Sequence, residues 1–343
     1  MSDYELKLSK RGWLINIILL VVITAIGLIL LALDLNEAFY SSSSTVRAIF
    51  KAITYLGEPI VFIVIVAVFY IVYDKKFAKN VAVSLLITLY LNEILKNIFQ
   101  DPRPGTNVDP DEITAENPAG LVETSYGFPS GHTQSAVGNW GYIAYHFKDK
   151  PKPLVVPIIM SIITFLVAIS RMIIGVHDLQ DVVGGFFFGF VALLLFIYLE
   201  PIVSEKFNTL SMNAKIIVFV IISLALFLLG VLLFPTSGTD LLPTPVAFSD
   251  NGNFAIVGGV ILGFGVAYVL EHEKIKYDPS KLNVKQKILA LIIGLVLVFI
   301  VYFALEALKG VFDSIFYRYI RYALVAFILV YFLPLIYKKI WKL

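Results

Sequence analysis

Apolar residues along this chain fall into ten long runs, separated by short polar stretches. They cover roughly 13–33, 57–73, 79–99, 132–148, 152–174, 179–199, 214–234, 254–272, 286–308 and 314–337. Runs of about 20 apolar residues mark helices that cross a bilayer. Each run is therefore expected to be a helix. The first is too long for the core of a signal peptide and no small-residue cleavage site follows it, so it is expected to be retained. The fourth is diluted by Gln134, Ser135, Asn139 and His146. A helix of that kind can span only if its polar face looks into the protein. Between the first two runs, Arg47 to Tyr55 predicts a short interfacial helix, and Gly57-Glu58-Pro59 predicts a break after it. Another boundary falls near Glu200-Pro201, and the four segments beyond it are almost wholly apolar. The eighth segment holds Gly259-x-x-x-Gly263, a spacing that allows close helix packing. Packing within the chain is favoured there over dimerisation, and the oligomeric state stays open.

Composition agrees with the pattern. Hydrophobic residues make up 59% and charged residues 15% of 343, far from the balance of a soluble domain. A net charge of +2 is too small to argue for nucleic acid. Cysteine is absent, which excludes disulfides, thiolate metal sites and a cysteine nucleophile.

Basic residues set an expected orientation. With the N-terminus inside and ten crossings, most of the 27 basic residues fall in inner connections. Eight remain outside: Arg47, Lys51, Lys96, Arg103, Arg171, Lys309, Arg318 and Arg321. The positive-inside rule then places both termini in the cytoplasm. Lys96, Arg103 and Arg171 stand on the side that should be poor in positive charge, so something other than topology keeps them there. The outer loop 100–131 adds acids: Asp101, Asp109, Asp111, Glu112, Glu116 and Glu123. Their spacing matches no calcium-loop pattern, and they are expected to be a solvated surface. Loop 235–253 reads as an outer connection and nothing more.

Three polar stretches converge on that outer side. Lys96 to Pro104 closes the third segment, Tyr126 to His132 enters the fourth, and Ser170 to Asp181 links the fifth and sixth. If the next helix starts near Gly175, His177 and Asp181, four residues apart, lie on one face one turn apart, so a carboxylate can hold one imidazole nitrogen and leave the other free. Asp178 points elsewhere and is given no such role. Three fixed cations suit a ligand whose negative charge is spread over several oxygens, which is a phosphate. Ser130 and Gly131 stand where a helix begins, with free N–H groups and a positive dipole end. Two histidines permit one to attack phosphorus while the other handles the leaving group's proton. Each residue alone has a blander reading, as an interfacial anchor, a helix cap or a structural histidine. It is their joint placement on one face that points to a phosphate site. Asn92 and Glu93 are either supports of Lys96 or a packing pair. Glu58 beside Pro59 is expected to cap a helix.

These stretches carry a resemblance. Lys96-x6-Arg103-Pro104, Pro129-Ser130-Gly131-His132 and Ser170-Arg171-x5-His177-x3-Asp181 resemble the three signature motifs of the type 2 phosphatidic acid phosphatase family, which also holds glucose-6-phosphatases and vanadium haloperoxidases. The resemblance implies an all-α integral membrane protein, with a six-helix phosphatase core over 1–200 and four additional transmembrane helices, of unknown role, over 201–343. It implies that His177 is the nucleophile, oriented by Asp181, and that His132 is the general acid and base. Lys96, Arg103, Ser130, Gly131 and Arg171 would bind the phosphoryl oxygens, with no metal or other cofactor. The site would lie on the extracytoplasmic face of a prokaryotic cell membrane. The expected substrate is a lipid phosphomonoester or a polyprenyl diphosphate. A soluble ester such as a sugar phosphate, a phosphotransferase with a lipid acceptor, and a lipid transporter or scramblase stand as alternatives.

Overall fold

A computed structural model describes residues 8–106, 125–149, 154–234, 250–312 and 314–341. Among them all regular structure is helical. The helices are α1 (Lys10–Ala32), α2 (Ser44–Thr54), α3 (Pro59–Val72), α4 (Lys75–Phe99), α5 (Gly131–Phe147), α6 (Val155–Ile173), α7 (Leu179–Asn208), α8 (Met212–Leu233), α9 (Gly252–Leu270), α10 (Val284–Ala307), α11 (Ile315–Phe327) and α12 (Leu333–Trp341). Short polar side chains start many of them by accepting an otherwise orphaned N–H. Ser9 caps α1, Ser211 caps α8, and Ser314 caps α11. Asn283 and Gln286 form a reciprocal capping box on α10.

Every apolar run of the sequence is helical, yet two are shorter than a bilayer requires. Eight helices or helix combinations are long and apolar enough to cross a membrane, and a ninth crossing arises only if Ser44–Gly57 and Pro59–Val72, bent by 47°, count as one span. The expected second span is thus 14 residues of α3 on their own. The tenth expected crossing falls to α5, which has only 17 residues. Polar residues shorten its apolar stretch, and they are buried: Gln134, Ser135 and Asn139 are 0–2% exposed. Large apolar side chains are exposed all along α1, α8 and α10, as expected of surfaces that meet lipid in a multi-pass membrane protein.

The described chain divides into two compact units. The first contains the described residues within 8–61 and 87–202, the second those within 62–86, 203–234 and 250–341. In the first, α5 lies against α6 and α2 packs along α6. Met172, Leu179 and Val182 form a core with Leu30, Leu31 and Phe39 around it. Gly185 of α7 lies close against the start of α5, since a Cβ there would stand 2.6 Å from the Ser130 carbonyl.

The second unit is built on α8, α9 and α11, whose shared core holds Phe227, Ala255 and Tyr319. Gly259 and Gly263 press on the backbone of Tyr319 and Ala323, so this small-residue face is used inside the chain. Glu271, fully buried, begins a π-helical turn after α9 and receives Lys75 Nζ at 2.9 and 2.8 Å on its two oxygens. The backbone N–H of Tyr277 donates to the same carboxylate at 2.7 Å.

Candidate active site

Helix α6 ends at Ile173, and the chain reverses through Gly175, whose φ of 82° is one that glycine adopts without a steric penalty. Asp178 then stands before α7, which begins at Leu179 and not near Gly175, so His177 lies ahead of the helix. Asp178 Oδ1 accepts the N–H of Asp181 at 3.0 Å, and its Oδ2 accepts from Asn36 at 2.7 Å. Asp178 is therefore a helix cap, as its lack of an assigned role anticipated. One turn on, Asp181 Oδ2 lies 2.7 Å from His177 Nδ1, with both side chains 1% exposed.

The other face of the ring settles the proton. Arg103 Nη1 lies 2.8 Å from His177 Nε2. A guanidinium only donates, so Nε2 must accept through its lone pair. The single ring proton then sits on Nδ1 and is donated to Asp181. Burial pushes the His177 pKa well below the ordinary histidine value, and the positive charges of Arg103, Arg171 and Lys96 add to the effect. Both observations describe a neutral imidazole whose Nε2 lone pair accepts from Arg103. Asp181 Oδ1 is buried with no hydrogen-bond partner among the described residues.

The cations hold oxygens around this pair. Arg103 donates from Nε to the Ser125 carbonyl at 2.6 Å, from Nη2 to Ser125 Oγ at 2.9 Å and from Nη1 to the Val176 carbonyl at 2.8 Å. Lys96, in the last turn of α4, donates to the Tyr126 carbonyl and to Ser125 Oγ at 3.4 Å. Arg171 is fully buried and donates to Thr54 Oγ1 at 2.9 Å. Asp101 carries a raised pKa, from partial burial first and then the charge of Asp178, with Lys96 opposing.

The start of α5 completes the group. Ser130 caps it, accepting from Thr133 N at 3.5 Å, and its own N–H donates to the Asp181 carbonyl at 2.9 Å. A Cβ on Gly131 would stand 2.9 Å from Asn92 Oδ1. Asn92 Nδ2 donates to the Pro129 carbonyl at 3.0 Å and to Gln134 Oε1 at 2.9 Å, so Asn92 braces this turn. Of the two readings open for Asn92, support of the site is the one that its bonds match. Glu93 shares bonds with Asn97 instead.

Glu58, expected to cap a helix, stands directly before Pro59, the first residue of α3, and its Oε1 lies 2.9 Å from His132 Nε2. The pairing joins residues 74 positions apart, which local spacing cannot reveal. Nothing in the sequence context of Thr54 or Ser125 marks them either.

The structure thus brings His177, Asp181 and Arg103 into direct contact and puts Lys96 on Arg103's partner Ser125. It ties Ser130 to Asp181 and Arg171 to His177, whose N–H donates to the Arg171 carbonyl at 3.2 Å. His132 is near enough for its charge to bear on His177. Beside His177 lies a small recess lined by Asn36, Tyr40, Thr106 and Asp178. Asp109, Asp111, Glu112, Glu116 and Glu123 fall outside the described residues, as does nearly all of loop 235–253.

Comparison with known proteins gives two family matches. The PAP2 superfamily matches residues 77–205, and the transmembrane extension of PAP2 superfamily phosphatases matches residues 255–342. Phosphatidylglycerophosphatase B of Bacillus subtilis is 40% identical over 113 residues, covering 31% of this chain and 48% of that protein. Sphingosine-1-phosphate phosphatase 2 of Mus musculus is 23% identical, covering 40% of this chain and 38% of that protein. Undecaprenyl-diphosphatase of Sulfolobus acidocaldarius is 25% identical, covering 44% and 68%. The chain spans half or less of the length of the first two relatives. A crystal structure of a transmembrane PAP2 type phosphatidylglycerolphosphate phosphatase from Bacillus subtilis aligns with a TM-score of 0.42 and 22% identity, covering 55% of this chain and 95% of that one.

Proposed function

We propose that this chain, which belongs to the PAP2 superfamily, is a membrane phosphatase that hydrolyses a lipid phosphomonoester or a polyprenyl diphosphate through a phosphohistidine at His177. The observation that carries the proposal is the bonding of His177. With Nδ1–H on Asp181 and a lone pair at Nε2, the ring is in the tautomer that a nitrogen nucleophile needs. Arg103 donates to that lone pair. An incoming phosphoryl group offers the guanidinium charged oxygens, which are stronger acceptors than the imidazole nitrogen. As Arg103 turns to them, Nε2 is released toward phosphorus.

The reaction runs in two displacements. Nε2 bonds to phosphorus while the bond to the leaving oxygen breaks, and His132 gives that oxygen a proton. Water then attacks the phosphohistidine and loses a proton to His132 as the P–N bond breaks. Lys96, Arg103, Arg171 and the N–H groups following Ser130 offset the charge on the equatorial oxygens. Asp181 stays ionised and stabilises the imidazolium character that His177 gains.

The names of the relatives support a lipid phosphate as the substrate class. The division into a core over 1–200 and an extension over 201–343 belongs to the same proposal. So does the orientation, with termini in the cytoplasm and the site outside, which requires α5 to cross. Its buried polar face is compatible with crossing inside a bundle.

The test is phosphate release by detergent-solubilised protein from phosphatidic acid, phosphatidylglycerophosphate, a polyprenyl diphosphate and glucose 6-phosphate, with EDTA present. Release from at least one lipid, abolished by His177→Ala, is the expected result. Release from the sugar phosphate alone, or full activity in His177→Ala, would overturn the proposal.

A further inference from the structure

The junction between α2 and α3 touches the site twice, and no signature residue lies in it. Thr54 receives Arg171, and Glu58 receives His132. The junction is held against α5 by a third bond, from Trp140 Nε1 to the Leu56 carbonyl at 3.0 Å. Gly57 allows the approach: a Cβ there would stand 2.6 Å from Val167 and 3.2 Å from His132 Cβ. Glu58 itself is extended, with φ −70° and ψ 139°, and Pro59 follows it. Its side chain is 32% exposed and that of His132 13%, so the pair borders open space while the dyad of His177 is sealed.

We infer that Glu58 is a positioning residue for His132, accepting its Nε2 proton and leaving Nδ1 as the ring atom that serves the leaving oxygen. The inference rests on the phosphatase reading above and adds a second carboxylate–imidazole pair to it. A ring that must act as an acid carries protons on both nitrogens. Glu58 holds the one on Nε2, and the other is delivered from Nδ1 to the leaving oxygen as its bond to phosphorus breaks. In the second step Nδ1 takes a proton from the attacking water while Nε2–H stays on Glu58. A carboxylate in that place orients the ring and stabilises the imidazolium before transfer.

A positioning role predicts a selective loss. Leaving oxygens that need protonation should suffer, and those that do not should be spared. The experiment compares kcat/KM, which reports only the steps up to departure of the leaving group, for phosphatidic acid, whose leaving group is an alcohol, and for p-nitrophenyl phosphate, whose phenolate leaves readily without a proton. Both are measured on wild type, Glu58→Gln and Glu58→Ala in detergent. Glu58→Ala should lose roughly 10²-fold on the lipid and far less on the aryl ester. Glu58→Gln keeps an acceptor oxygen but no charge and should fall between. Retained aryl turnover also reports that the variants are folded, and Glu58→Gln carries the comparison if Glu58→Ala is not. Equal losses on both esters would overturn the assignment, leaving Glu58 a structural contact. A gain on either would overturn it too, making Glu58 a competitor of substrate for His132. No release from either ester by wild type would remove the phosphatase reading, and this inference with it.

Discussion

Each compact unit contains a buried charge cluster, and the two are satisfied in different ways. In the second unit, Lys75 gives both oxygens of Glu271 a bond, and the Tyr277 N–H fills a further acceptor position. That is the arrangement of a clasp: one cation, one anion, and backbone groups that complete the valences. In the first unit, Lys96 and Arg103 converge on the carbonyls and hydroxyl of Ser125 and its neighbours, and Arg171 leans on a threonine hydroxyl. Neutral oxygens are weaker partners for a cation than phosphoryl oxygens are. The bonds to Ser125, Tyr126, Val176 and Thr54 are of a kind that a phosphoryl group replaces with stronger ones, whereas Lys75 and Glu271 already join a cation to a carboxylate. A buried charge therefore suggests chemistry only when its bonding leaves something to gain.

Asp181→Asn sharpens the comparison most. An amide nitrogen donates where a carboxylate accepts, so the ring proton moves to Nε2 and the nucleophile is lost. On the order of 10³–10⁴ in kcat is expected to disappear, with the fold retained. Rates near wild type would show that the His177 tautomer does not matter.

Glu271→Ala should behave in the opposite manner. It leaves the Lys75 ammonium without its buried partner and should remove about 3–5 kcal/mol of stability. Thermal unfolding in detergent checks this, and the pH profile of the surviving enzyme should not move. A shifted profile with unchanged stability would erase the distinction between the clusters.

Lys96→Ala should cost about 2–4 kcal/mol of transition-state stabilisation, on the order of 10²–10³ in kcat/KM. An effect confined to stability would place Lys96 with the clasp type.

The smallest effect concerns pH. The folded pKa of His177 is pushed down, first by burial and then by Arg103, Arg171 and Lys96. Nucleophilic capacity is therefore present above that lowered pKa and lost as pH falls through it. The acid limb of kcat/KM should lie below about 6.5, the ordinary histidine value. Lys96→Gln removes one of the lowering charges, so the limb should move to higher pH. Measured profiles that coincide, or a limb above the ordinary value, would contradict this electrostatic account.

Much of the site is legible in the sequence, because charge in an apolar chain is conspicuous. His177 and Asp181 do meet, yet not as neighbours on one helix: α7 begins at Leu179, so the contact also depends on the turn through Gly175 that precedes it. Ser130 sits directly before the first residue of α5, and a serine there caps a helix by local geometry. Glu58 was legible as a polar residue but not as a partner. Its contact depends on how the α2–α3 junction meets α5, and that is a tertiary fact without a local signature. The same holds for Thr54 and Arg171, which are 117 residues apart. Among the helices, periodicity located every segment but overstated the second. Gly57-Glu58-Pro59 reads as a break, yet its consequence, a 14-residue α3 that reaches span length only together with α2, depends on the 47° bend.

The most direct test of the central claim is to trap the phosphoenzyme. Wild-type protein mixed with the lipid phosphate that it turns over, quenched within a turnover at alkaline pH, is digested and its phosphopeptides are sequenced by mass spectrometry. The account predicts phosphate on His177, a larger trapped fraction in His132→Ala supplied with a substrate that leaves without a proton, and none in His177→Ala. Phosphate on another residue, or full turnover with no phosphohistidine at any quench time, would contradict it.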